Sequence, residues 1–162
     1  MCDGLEPSVV TGRSTDYATE ERQIRRREEK EGVELFLQDV FLALGEVTFL
    51  GLPAFLALMT AEPNAPLKYA ALFSWATLAL AVGAFRGGRF GVEWPPTSPS
   101  LLLVRLLYYD ATILGAAYAG ASADLALRSP VVTAVVAVLA SLAAARAFPR
   151  VVDAIPFQFP ER

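Results

Sequence analysis

The chain has 162 residues, 54% of them hydrophobic, a formal charge of -3, no histidine and one cysteine, Cys2. These counts exclude a His-ligated haem, a Cys/His zinc centre, a Cys/His or Ser-His-Asp triad and an intramolecular disulfide. The acidic balance does not suit a nucleic-acid partner, and chemistry is left to carboxylates, hydroxyls, tyrosine and arginine, with no metal or cofactor expected.

Residues 1–19 mix Gly, Pro, Ser, Thr and Asp without a period and read as a disordered cytoplasmic tail. Residues 20–39, with the run ERQIRRREEKEGVELF, read as a charged juxtamembrane helix, Glu21 and Arg25 pairing at i,i+4 and Gly32 breaking or bending it. Beyond them the apolar residues gather into blocks. Mean hydropathy is +0.42, too much contiguous apolar sequence for a soluble domain.

Four blocks are each long enough, at about 1.5 Å per residue, to cross a hydrocarbon core of about 30 Å. They lie at about 40–59, 67–85, 101–122 and 130–148. Pro53 is expected to kink the first by removing a backbone donor. Gly87 and Gly88 end the second, Ser100 is placed to cap the third, and Ser129 with Pro130 opens the fourth. Residues 149–162 read as a cytoplasmic tail. The loop RGGRFGVEWPPTSPS between the second and third blocks has no phosphate-loop spacing and reads as a connector.

Arginines set the expected orientation. Arg22, Arg25, Arg26, Arg27, Arg86, Arg89, Arg146 and Arg150 flank the same ends of the spans, whereas the opposite loops carry only Lys68 and Arg128. The fold class expected is thus all-α integral membrane, a four-transmembrane-helix up-and-down bundle in the cell membrane with N and C termini cytoplasmic. Twelve arginines against two lysines, with abundant Ala and Val, resemble the composition of a GC-rich, salt-loving archaeon.

Ionisable residues inside the spans are costly and mark the candidate site. Glu46 falls about 9 Å into the first span, with Arg105 and Asp110 about 6 and 13 Å into the third from the same side. A Glu46–Arg105 contact is expected. Tyr109 shares the Arg105 face at i+4, Tyr108 lies near it at i+3, and Asp110 points elsewhere. Arg146 is a further partner or snorkels to headgroups. Asp39, Arg86 and Arg150 form a looser ring at the interface, where Arg86 and Arg89 suit lipid-headgroup contact. Trp94 fits an interfacial aromatic belt, and Trp75, mid-span, needs a buried partner or a change of depth.

Small residues at four-residue spacing predict close helix packing through Gly115, Ala119 and Gly120 in the third span and Ala137 and Ser141 in the fourth. Those two spans are expected to pair tightly. The expected partners are membrane lipids and either copies of the chain, as a homo-oligomer, or other membrane subunits. The leading function is a non-catalytic structural or accessory subunit. An oligomeric channel or transporter with Glu46, Arg105 and Asp110 on a polar pathway is the alternative, ahead of a membrane enzyme using Glu46 or Asp110 on an anionic lipid.

Overall fold

The computed structural model describes residues 32–88, 90–96 and 98–155, all within one compact unit, Gly32–Arg162. The tail 1–19, residues 20–31 of the charged helix, Arg89 and residues 156–162 lie outside the described residues. Among the described residues five helices follow in order: α1 Val33–Leu50, α2 Leu52–Met59, α3 Asn64–Arg86, α4 Pro99–Leu127 and α5 Pro130–Ala154. Helices α3, α4 and α5 are each long and apolar enough to cross a membrane, and α1 with α2 passes the same test as a pair bent by 52°.

The core is mostly apolar, but large apolar side chains also stand exposed along the helices while a few polar ones are buried, as a lipid-facing surface requires. Phe49 is 75% exposed and Leu107 69%, whereas Arg105 is 1% exposed and Ser74, Thr133 and Ser141 are fully buried. Hydroxyls along the spans close onto their own helices. Thr48, Thr112 and Ser122 each donate to the carbonyl four residues earlier, at 2.6, 2.7 and 2.8 Å, which leaves few side-chain polar groups facing lipid.

Helix α1 starts after Gly32, whose φ of 63° suits a residue without a Cβ. It runs unbroken through Asp39 and Val40, so the expected boundary between a juxtamembrane helix and a first span falls inside one helix. The bend comes at Gly51, two residues before Pro53. Proline at the second position of α2 has no N–H to give the carbonyl of Phe49, so the ladder is interrupted upstream of the ring. A Cβ on Gly51 would lie 2.7 Å from both Ile113 Cδ1 and the Val47 carbonyl oxygen, so the break is also packed against α4.

Two expected caps are corrected. Ser98, not Ser100, caps α4, its Oγ accepting from Leu101 N–H at 3.4 Å, because the helix begins at Pro99 and Ser100 is already in its first turn. Ser129 occupies the N-cap position of α5, but its side chain makes no capping bond; its carbonyl instead accepts from Val132 and Thr133 N–H. Helix α5 also continues past the expected end at 148, through Pro149 to Ala154.

Helix α3 is the centre of the bundle, touching α1, α2, α4 and α5. Close approach to α1 depends on Gly83, where a Cβ would sit 2.7 Å from Val40 Cα. Helices α4 and α5 run antiparallel: Gly120 lies against Thr133 near the connecting turn, while Tyr108 donates to the Ala144 carbonyl at 2.7 Å far from it. Ala137, Ser141 and Ala145 are fully buried along one face of α5, and Ser141 Oγ donates to Ser74 Oγ of α3 at 2.8 Å. Small side chains let α3 and α5 approach closely there, which favours helix association where lipid gives little hydrophobic drive.

Candidate functional site

Glu46 projects from α1 at the end of the bundle where α3 finishes and α4 begins. One carboxylate oxygen accepts from Arg105 at 2.7 Å and from the Tyr109 hydroxyl at 2.9 Å, and the other accepts from Arg86. Arg105 and Tyr109 lie one turn apart on α4, so the i,i+4 spacing brings both donors to the same oxygen. Arg86 is the last residue of α3. A single carboxylate thus ties α1 to α3 and α4.

The cluster is nearly closed to solvent. Arg105 and Glu46 side chains are 1% and 14% exposed, and that of Arg86 20%. Arg105 also donates to the carbonyls of Pro95 and Pro96, at 2.7 and 3.4 Å. Those carbonyls are available because the segment is extended and outside any helix. The guanidinium therefore holds the α3–α4 connector down on the helix ends. Phe148 of α5 lies beneath, its ring centroid 5.8 Å from Arg105 Cζ and 5.1 Å from the Trp94 ring. Among the described residues, Trp94 Nε1 and Arg105 Nε are buried without a hydrogen-bond acceptor.

Residues 30–155 match the family model of DUF8215, a domain of unknown function. The chain belongs to the DUF8215 family. The matched DUF8215 region takes in all five helices and every residue of the Glu46 cluster. No curated protein and no solved structure matches the chain.

Asp110 lies apart from the cluster. Its Oδ1 accepts from the backbone N–H of Ala54 at 2.9 Å, at the third position of α2. That amide is one of the orphan donors created by the break at Gly51, and a carboxylate suits the positive end of a helix. Replacing Asp110 by alanine is expected to cost about 1 kcal/mol, the usual scale of a lost N-cap. Hydrogen exchange should rise at Ala54 and along α2 while α5 keeps its protection; a uniform rise through all helices would count against a local role.

Other candidates fall elsewhere. Arg146 is exposed on α5 and enters none of the bonds around Glu46, because the helix turns it outward beside buried Ala145. Arg86, expected at the headgroups, instead reaches back to Glu46. Gly115 and Ala119 are exposed, and a Cβ on Gly115 would meet nothing within 4 Å, so neither packs α4 inside the bundle. Gly120 does, with a virtual Cβ 2.8 Å from Ala70 Cβ. Ala137 and Ser141 line the α5 core. Trp75 has a partner in Thr48, to which Nε1 donates at 3.0 Å, and Trp94 stacks among Phe85 and Phe148 at the bundle end.

The residues that sequence reasoning missed are chiefly backbone acceptors: the carbonyls of Pro95, Pro96 and Ala144. A proline pair in a loop beside a span that opens with a buried arginine was the available signal, since extended Pro-Pro backbone has carbonyls with no helical use.

Proposed function

We propose that this DUF8215 chain is a structural or accessory subunit of a membrane assembly. In this reading α1 and α2 form one bent span of a four-span, multi-pass bundle, and the arginine-flanked ends, with both termini, face the cytoplasm. The carrying observation is the saturation of Glu46. Both its oxygens are taken by donors from two other helices, and Arg105, the more buried of the two guanidinium donors, is itself fastened to the connector. A carboxylate that relays protons or binds a passing ion needs an oxygen it can free; this one is fixed between two guanidinium groups and a phenol. The arrangement suits a clamp on helix register.

Assembly is supported by the outward face of α4, where Ala111, Gly115 and Ala119 recur at four-residue spacing and are exposed. A helix from a second copy or from another membrane subunit would approach closely there. The test is crosslinking in the native membrane followed by mass spectrometry in mild detergent, for the wild-type chain and Gly115→Leu. The expected result is a defined oligomer or heteromer that Gly115→Leu disrupts while melting of the subunit itself stays unchanged. A monomer without partners, joined to an ion flux in vesicles that Glu46→Gln abolishes, would replace this reading with the channel or transporter.

A further inference from the structure

The bend at Gly51 has a second effect, at the end of the bundle opposite the Glu46 cluster. Turning α2 by 52° from the line of α1 leaves a groove of about 400 Å³ between α2 and the first turns of α3. Its walls are Phe55, Leu58 and Met59 on α2 and Ala71 and Leu72 on α3, with Lys68 at the rim. Leu58 and Ala71 are 2% and 4% exposed and form the floor, whereas Met59 and Leu72 are 65% and 56% exposed and stand as open sides. The small side chain of Ala71 gives the groove its depth.

We propose that this groove binds one anionic membrane lipid, an acyl chain lying along the apolar walls and its phosphate pairing with Lys68. The volume is within the range of small-ligand sites, about 300–1,000 Å³. It equals only about one turn of an α-helix 10 Å across, which suits a single hydrocarbon chain better than a helix of a second copy. Charge points the same way: among the described residues Lys68 is the one ionisable group lining the groove, and it is exposed. Among the described residues Lys68 forms no ion pair, and Glu62 on the preceding loop accepts from the Asn64 N–H at 2.9 Å.

Depth fits as well. Lys68 lies four residues into α3, about 6 Å along the axis, and helical side chains lean towards the N-terminus, so its ammonium reaches the headgroup level above the groove. At that level a headgroup of net negative charge attracts the ammonium more than a zwitterionic one, in which choline offsets the phosphate. The inference needs only a membrane-embedded bundle, whichever way it faces.

Native mass spectrometry of the full chain, exchanged into mild detergent with equal amounts of phosphatidylglycerol and phosphatidylcholine of the same acyl composition, tests it. The wild type is expected to retain one phosphatidylglycerol several-fold over phosphatidylcholine. Lys68→Gln should bring the two to parity, Ala71→Leu should reduce retention of both by filling the floor, and Arg128→Gln, which removes the other cation at this end, should change neither. Equal retention by the wild type, or selectivity that survives Lys68→Gln, overturns the proposal. A dimer that Ala71→Leu dissociates, with no lipid preference, would give the groove to a second copy and overturn it equally.

Discussion

Glu46→Ala is expected to destabilise the bundle by about 3–5 kcal/mol, the scale for removing one partner of a buried ion pair. The cost is not the loss of attraction alone. Arg86 and Arg105 would be left at the same helix junction without their shared carboxylate, and the fully buried Tyr109 hydroxyl would lose its acceptor. Glu46→Gln should be milder, near 2 kcal/mol. Its amide oxygen still serves Arg105 and Tyr109, but its NH2 group then meets the guanidinium of Arg86, donor against donor. Stability by thermal unfolding in detergent, with far-UV dichroism for helix content, checks the order wild type, Gln, Ala. Equal melting of all three would show that the cluster carries no structural weight.

Gly83→Leu should have an effect of comparable size through packing alone. A Cβ at that position would already lie 2.7 Å from Val40 Cα and 3.0 Å from its backbone nitrogen. Backbone atoms cannot rotate away, so α1 must move off α3 as a body. Overpacking of this type costs about 1–3 kcal/mol, and more when a whole side chain is added. Because Glu46 and Arg86 sit on the same two helices, the displacement should also loosen the ionic cluster, and the cost should exceed the steric term. Gly45→Ala is the control. A Cβ there meets nothing within 4 Å, and a helix-interior glycine replaced by alanine is expected to gain about 0.5–1 kcal/mol. Unfolding of the two variants should move in opposite directions.

The apolar blocks were legible because lipid demands about twenty successive apolar residues for a helix, a signal that needs no tertiary information. The meeting of Glu46 with Arg105 and Tyr109 was legible for a related reason: charges at similar depth on neighbouring spans have few other partners, and i,i+4 spacing fixes the shared face. Sequence places Arg86 at the headgroups because it gives the distance of Arg86 from the span end but not the direction in which α3 presents it. Gly115 and Gly120 illustrate the same limit. Both sit in small-residue stripes, and five residues of helix turn them to different sides, so only the packing of α4 on α5 decides which stripe is inside. The bend lies at Gly51 and not at Pro53 because the ring removes a hydrogen bond four residues upstream. Asp110 has no local signature at all; its role depends on an amide freed 56 positions away.

The most direct test is a double-mutant cycle between Glu46 and Arg105, using Glu46→Gln, Arg105→Gln and the pair, with unfolding free energies measured in one detergent. A structural clamp predicts strong coupling, about 1–3 kcal/mol, the double variant being far less damaged than the sum of the singles. Additive effects, with no coupling beyond about 0.3 kcal/mol, would contradict it.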